Sequence, residues 1–142
     1  MKIQRTVTVD TPIAKVFPYL ADFTTTNEWD PGTVRTVRQS GDGEVGTRYH
    51  NTSKFGGRET ELVYVLESLE PHRRIALRGV NKTVVAHDTM ELTGDNKGTT
   101  VTYTADFTFK GLARLVAPLL APAFKKLGDD AEQGLRESLS RL

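Results

Sequence analysis

Two different patterns follow each other in the stretch TTVTYTADFTFKGLARLVAPLLAPAFKKL (residues 99–127). The first part alternates between apolar and polar residues from Val101 to Phe109, which is typical of a β-strand with one buried face. From Leu112 the apolar residues recur every three or four positions, which is the spacing of a helix with one buried side. We therefore predict a strand that ends at Phe109 and a long helix from about Leu112 to Leu139.

Three residues should weaken this helix. Pro118 and Pro122 lack an amide hydrogen, and each ring clashes with the preceding turn, so we expect a kink or a local opening there. Gly128 is a further weak point, because glycine is a poor helix former. A helix of about thirty residues would be about 45 Å long, which is enough to cross a small sheet from end to end.

The remainder of the chain predicts one strand, two short helices and then five more strands. Val7 and Val9 belong to the first alternating segment, and Pro12 marks the start of the helical part that ends near Trp29. Short glycine-, asparagine- and proline-containing turns separate the next segments, which favours antiparallel hairpins. These predicted strands are Val34–Ser40, Thr47–Thr52, Arg58–Leu69, Arg74–Val80 and Thr83–Leu92. The fold class is therefore α+β.

Composition excludes several classes of protein. The 142 residues suffice for one domain, which we expect to span 1–142, and 19 basic and 18 acidic side chains give a net charge of +1. The sequence has no concentrated basic patch of the kind that binds nucleic acid, so we expect no nucleic-acid partner. No apolar run is long enough to cross a bilayer, so we expect no stable membrane insertion. The first residues carry no apolar signal segment, and we expect a cytoplasmic location.

We also expect no metal and no cofactor. The chain has no cysteine, and His50, His72 and His87 lack the spacing of metal ligands. Residues Gly41 to Gly46 match the glycine pattern of dinucleotide-binding loops, but a strand-like segment follows where such a loop needs a helix. We interpret these glycines as a hairpin turn.

Several motifs occur along the whole chain in a recognisable order. They are Val9-Asp10-Thr11-Pro12, Trp29-Asp30-Pro31-Gly32, Gly46-Thr47-Arg48-Tyr49, Leu69-Glu70-Pro71-His72 and Lys110-Gly111-Leu112-Ala113. Together they resemble the SRPBCC superfamily (START and pollen-allergen-like proteins), and within it the polyketide cyclase/dehydrase-like branch. The resemblance implies a helix-grip fold, in which a curved seven-stranded antiparallel sheet surrounds a long C-terminal helix. It also implies a cavity for a hydrophobic molecule, without indicating which one.

Strand alternation selects the side chains that should face this cavity. Tyr103 and Phe107 share the apolar face of their strand, and Asp88 shares a face with Met90. On the Arg58–Leu69 strand we place Tyr64 inside, because the opposite choice would bury three glutamates. The full set of expected ligand-contacting residues is Trp29, Tyr49, Arg58, Tyr64, Asp88, Met90, Tyr103, Phe107, Leu119, Ala123 and Phe124.

Three functions fit these patterns. The leading hypothesis is a carrier or sensor that binds a polyketide, lipid or isoprenoid-like molecule. The second is a polyketide aromatase/cyclase or dehydratase, with Arg58, Asp88 and Tyr103 as candidate catalytic residues and Asp88 moving a proton. These residues could instead have a purely structural role: Asp88 and Arg58 would form a salt bridge, and the tyrosines would only fill the core. The third is a regulatory protein that dimerises through its apolar helix.

The helix segment Leu112–Phe124 has one charged residue, Arg114, and is therefore apolar on its outer side as well. Monomers usually avoid a continuous apolar surface of this kind. The segment is interpreted as a mobile portal for the ligand, and a weak homodimer is the alternative.

Overall fold

The computed structural model describes residues Met1–Leu142. Its strands are β1 (Lys2–Val9), β2 (Thr33–Ser40), β3 (Arg48–Phe55), β4 (Arg58–Glu70), β5 (Arg74–Val80), β6 (Val84–Gly94) and β7 (Thr99–Phe109). Its α-helices are α1 (Ile13–Ala21), α2 (Thr26–Trp29), α3 (Ala113–Val116) and α4 (Ala121–Ser140). Two 3₁₀ turns, Phe23–Thr25 and Ala117–Leu120, connect α1 to α2 and α3 to α4. The two predicted helical elements between the first two strands are therefore confirmed.

The seven strands form one antiparallel sheet in the order β1-β7-β6-β5-β4-β3-β2. Every strand from β2 onward pairs with its neighbour in the chain, because the connections are short hairpins, and β1 closes the far edge against β7. Register shifts between Leu66 and Ser68 in β4, and at two places in β2, mark irregularities of the ladder. Irregularities of this kind bend a sheet, and the curved helix-grip sheet predicted from the sequence is confirmed.

Helix α4 lies across the concave face and packs against β1 and α2. It buries a stripe of side chains at helical spacing: Phe124, Gly128, Ala131, Leu135 and Leu139. The start of α1 is tied to the end of this helix, since the Thr11 hydroxyl donates a hydrogen bond of 2.6 Å to the Leu139 carbonyl. The long C-terminal helix is thus built into the core over its last twenty residues.

The helix breaks in a different way from the prediction at two of the three expected positions. Pro118 lies in the 3₁₀ turn between α3 and α4, as expected of a residue that opens the α-helical ladder. Pro122 instead occupies the first turn of α4, where a missing amide hydrogen costs nothing. Helix α4 continues through Gly128 without a break, and Gly128 is buried where the side chains of Ile3 and Arg5 of β1 lie against the helix backbone.

Residues Gly41 to Gly46 form bends between β2 and β3, in agreement with the predicted hairpin. No helix in the structure combines the length and the apolar character needed to cross a membrane.

Candidate functional site

A cavity of about 430 Å³ lies between the concave face of the sheet and the C-terminal helices. Most of its wall is apolar and comes from β3, β4, β6 and β7 on one side and from α3, α4 and the intervening 3₁₀ turn on the other. It opens at the β3–β4 turn, where Gly56 and Arg58 are exposed. Its volume falls in the usual range for small-molecule sites, about 300–1,000 Å³.

A carboxyl group is the main polar feature deep in this cavity. Asp88 points inward because it follows the same alternation as Ala86 and Met90 on β6, and it is 5 % exposed. The Tyr103 hydroxyl on neighbouring β7 donates a hydrogen bond of 3.0 Å to Asp88 Oδ2. The other carboxyl oxygen, Oδ1, is buried and has no hydrogen-bond partner. A buried acceptor left in this state is costly, so Asp88 carries an unmet hydrogen-bonding capacity next to the cavity.

Burial decides the protonation of this pair. It raises the pKa of Asp88 to about 7, against the lowering effect of the Tyr103 hydrogen bond, and the negative charge of Asp30 adds to the rise. Burial also raises the pKa of Tyr103 and of Tyr64 well above the ordinary tyrosine value. Near neutral pH, Asp88 therefore exists in both protonation states and is able to accept or donate a proton.

Trp29 forms part of the wall next to this pair. Its ring packs edge-on against Tyr103 with centroids 5.6 Å apart, and its indole nitrogen donates a hydrogen bond of 3.2 Å to the Thr25 hydroxyl. The side chain is 2 % exposed, so it is a core residue and a cavity residue at once. The expected position of Trp29 in the cavity wall is therefore compatible with its place in the core.

Asp30 is a second carboxylate in the wall, and it is not among the residues expected from the sequence. Its Oδ1 accepts a hydrogen bond from the Gly32 amide (3.0 Å) and its Oδ2 accepts one from the Thr33 hydroxyl (2.9 Å). The residue as a whole is half-buried, but its carboxyl group is enclosed, and burial raises its pKa. Because Asp30 has these local partners, it stabilises the turn after α2, whereas Asp88 keeps a free acceptor.

Aromatic rings form the other end of the cavity. Phe124 of α4 lies 4.5 Å from Phe55, 5.0 Å from Phe107 and 5.8 Å from Phe109, measured between ring centroids. Phe55 lies beyond the end of the predicted strand Thr47–Thr52, so strand alternation does not predict where its side chain points. In the structure β3 continues to Phe55 and turns its ring inward. The cavity thus has one polar end at Asp88 and one aromatic end at Phe124.

Seven of the expected ligand-contacting residues line this cavity, namely Trp29, Arg58, Tyr64, Asp88, Tyr103, Phe107 and Phe124. The three candidate catalytic residues do not form one group. Asp88 and Tyr103 are hydrogen-bonded, but Arg58 lies six residues along β4 from Tyr64, at the exposed mouth of the cavity. At about 3.3 Å per residue this places Arg58 about 20 Å from Tyr64 along the strand. Asp88 has no salt bridge to Arg58, which corrects that alternative.

Four expected residues lie outside the cavity wall. Tyr49 and Met90 face inward as expected, but they are part of the packed core, where Phe23 covers Tyr49 at 5.8 Å between rings. Leu119 is 78 % exposed and Ala123 is half-buried, while Leu120 and Phe124 line the cavity in their place. The 3₁₀ turn has three residues per turn instead of 3.6, which shifts the inward side of the helix by about one residue.

Comparison with known proteins gives the same fold for several structures at low sequence identity. The aromatase/cyclase Zhui from Streptomyces sp. R1128 superposes with a TM-score of 0.83 at 17 % identity, over 99 % of this chain and 94 % of that one. A START superfamily protein from Mycobacterium smegmatis gives 0.80 at 10 % identity, over 99 % and 97 %. The protein Ara h 8.0201 gives 0.69 at 15 % identity, over 100 % and 99 %.

No protein of curated function matches the sequence. The model of the family described as polyketide cyclase/dehydrase and lipid transport matches residues 1–142, which is the whole chain. The family match therefore covers the motifs on which the resemblance was based and also every helix and strand between them. The chain belongs to the polyketide cyclase/dehydrase and lipid transport family.

Proposed function

We propose that this protein binds one small hydrophobic molecule of the polyketide, lipid or isoprenoid type in its internal cavity, as a carrier or sensor. The observation that carries the proposal is a largely apolar cavity of about 430 Å³ whose lining includes Asp88, a residue with one carboxyl oxygen that has no partner in the protein. A site of this kind gains affinity from apolar burial and selectivity from a single hydrogen bond.

The geometry also specifies the shape of the ligand. A hydroxyl or other hydrogen-bond donor should lie against Asp88, and an apolar or aromatic part should lie against Phe124 and its neighbouring rings. The acceptor is already unsatisfied in the free protein, so a ligand donor that reaches it gains a hydrogen bond to a charged group, about 1.5–3 kcal/mol, which a ligand without a donor does not gain. Hydroxylated hydrophobic molecules should therefore bind better than their deoxygenated analogues.

The first experiment is native mass spectrometry of protein purified without detergent, which detects a ligand that co-purifies. The second is a titration with the dye 8-anilinonaphthalene-1-sulfonate, followed through Trp29, which lines the cavity and is the single tryptophan of the chain. Quenching of Trp29 with a one-to-one endpoint is the result expected for a site inside the cavity.

Two neighbouring valines provide a matched pair of variants for this titration. Val84 is buried and lines the cavity, whereas Val85 is the next residue of β6 and points to the opposite face of the sheet. Val84→Phe should fill part of the cavity and weaken dye binding at least about tenfold, because it removes space rather than surface. Val85→Phe should bind like the wild type. Equal affinity of both variants would refute the cavity as the binding site.

A second candidate function is supported by the Asp88–Tyr103 pair. With a pKa of about 7, Asp88 is suited to remove and return a proton, as a cyclase or dehydratase requires. Asp88→Asn keeps the size of the side chain but cannot transfer a proton. If the protein is an enzyme, this variant should still bind the dye while turnover of a poly-β-ketone substrate falls at least about a hundredfold. A binding protein would show no turnover with either form.

A further inference from the structure

Four large apolar side chains are exposed next to one another at the mouth of the cavity. Leu112 is 82 % exposed, Leu115 74 %, Val116 52 % and Leu119 78 %. These four residues, here called the mouth patch, lie within eight residues of sequence, on α3 and its flanking turns. Other exposed large apolar residues, such as Val34 and Val45, occur singly. A cluster of this kind on a folded protein marks a surface that meets an apolar partner.

Positive charges surround the mouth patch. Arg114 lies between its residues and Lys110 lies just before them, while Lys82 and Arg58 belong to the two adjoining hairpin turns. The Lys110 amide donates a hydrogen bond of 2.8 Å to the Thr83 carbonyl, which holds the β5–β6 turn beside the patch.

These charges are not neutralised by the protein itself. The ion pairs of the structure all involve other cations: the N-terminus, Arg5, His50, Arg73, Lys125, Lys126 and Arg136. The sequence has no acidic residue between Phe107 and Gly128. The nearest acid on the β3–β4 hairpin, Glu59, follows Arg58 directly and therefore points to the opposite face of its strand. The mouth of the cavity is thus both apolar and positively charged.

We infer that the mouth patch docks on the surface of an anionic lipid bilayer. Such a surface offers hydrocarbon for the leucines and negative head groups for the surrounding lysines and arginines. A second copy of the chain fits less well, because a two-fold interface would bring the same four cations against their own symmetry mates. Docking is peripheral: the leucines enter the interface while the fold stays outside the bilayer.

Because the mouth patch lies at the opening of the cavity, docking would also affect how a ligand enters. Val116 belongs to the mouth patch and also lines the cavity. A docked molecule therefore holds its cavity opening against the lipid, so that an apolar ligand moves between bilayer and cavity without crossing water. Vesicle binding itself depends on exposed residues and requires no ligand, so it is independent of the cavity-binding proposal.

Flotation with lipid vesicles tests the apolar part of the surface. The wild type should bind vesicles of phosphatidylcholine containing about a quarter phosphatidylserine, and binding should weaken as salt is raised. Leu115→Asp and Leu119→Asp should each reduce binding about tenfold or more, because each removes a leucine from the interface. Val45→Asp is the matched control: Val45 is 60 % exposed but lies in the β2–β3 turn, at the other end of β3 from Phe55.

Charge reversal tests the electrostatic part. Lys110→Glu should reduce binding to the phosphatidylserine vesicles, whereas Lys97→Glu, in the β6–β7 turn at the opposite end of the sheet, should not. Unchanged thermal unfolding of the variants shows that the fold is intact. The proposal is overturned if the wild type does not bind these vesicles, or if Leu119→Asp binds them as well as Val45→Asp. It is also overturned if sedimentation shows a wild-type dimer that Leu119→Asp dissociates, since the patch would then be a dimer interface.

Discussion

The two halves of the C-terminal helical region differ in almost every physical respect. Helix α4 buries a continuous stripe that includes Leu135 and Leu139, and i,i+4 ion pairs such as Lys126–Asp130 lie on its outer face. The segment Ala113–Leu120, here called the mouth segment, buries a single residue, Ala117. It changes from α-helix to 3₁₀ geometry within eight residues and has no ion pair.

The two halves therefore have different roles: one stabilises the fold and the other covers the cavity. Helix α4 stabilises the fold, since its backbone lies so close to α2 that Gly134 faces the Trp29 carbonyl with no room for a side chain. The mouth segment covers the cavity with side chains that are largely in water already, so moving it exposes little additional apolar surface. A ligand cavity needs both: a rigid wall, and one side that opens at low cost.

The largest expected effect is on global stability. Leu135→Ala should lower the free energy of unfolding by about 3–4 kcal/mol, because it leaves a cavity under a fully buried side chain. Leu115→Ala, the same change in the mouth segment, should stay within about 0.5 kcal/mol of the wild type. Urea denaturation at equilibrium measures both. A loss above about 2 kcal/mol for Leu115→Ala would mean that the mouth segment is part of the structural core.

The next effect concerns Asp88, which is buried beside Tyr103 and close to Trp29, away from the mouth of the cavity. Folding raises its pKa to about 7, so the folded state binds a proton that the unfolded state has lost above about pH 4. The contribution of Asp88 to the free energy of unfolding is therefore most favourable at low pH, and it is lost as the pH rises from about 4 to 7. Asp88→Asn removes this dependence, because the amide does not ionise.

The expected result is a gain in the stability of Asp88→Asn over the wild type of about 2–3 kcal/mol between pH 5 and pH 8. Parallel urea titrations at both pH values measure it, and other titrating groups cancel in the difference. Tyr103→Phe provides the second variant: loss of its hydrogen bond raises the pKa of Asp88 further, so the fall in stability should extend above pH 7. A constant difference between Asp88→Asn and the wild type would contradict a buried, titrating carboxyl group.

The smallest effect tests which feature makes α4 the stable half. Lys126→Gln breaks the ion pair with Asp130, and both partners are solvent-accessible at the helix surface. The expected cost is about 0.3–0.5 kcal/mol, because exposed i,i+4 pairs contribute little. A loss of more than about 1 kcal/mol in thermal or urea unfolding would shift the explanation from the buried stripe to the surface charges.

The sequence predicted best what depends on periodicity. Alternation placed Asp88, Tyr103 and Phe107 on the inner face of the sheet, because one buried face imposes a period of two residues on a strand. The helical stripe predicted the buried side of α4, where Leu135 and Leu139 lie in the core, but the same spacing predicted a buried side from Leu112 onward, and that part of the stripe is exposed. These features follow from local geometry and need no knowledge of the neighbours in space.

The sequence predicted two other features poorly: which side of a helix faces the cavity after a change in helix type, and how far along a strand the cavity extends. Leu119 was expected to close the cavity, but the 3₁₀ turn before α4 shifts the helical phase, and Leu120 takes that place. Arg58 lies on the predicted inward face of β4, but at the exposed mouth of the cavity and far from Asp88. Strand alternation predicts the face of a residue and does not predict its position along the cavity. Asp30 was hidden in a turn, where no periodicity marks a side chain as buried.

Hydrogen exchange of the backbone amides tests most directly whether the mouth segment is the entrance of a ligand-binding cavity. In ligand-free protein, amides within Leu112–Phe124 should exchange at least about a hundredfold faster than those of Asp129–Leu139. Saturation with 8-anilinonaphthalene-1-sulfonate should slow the first group and leave the second unchanged, since the ligand holds the cavity closed. Equal protection of both groups in demonstrably monomeric, ligand-free protein would contradict this account, and so would fast exchange of Leu112–Phe124 that a bound ligand does not slow.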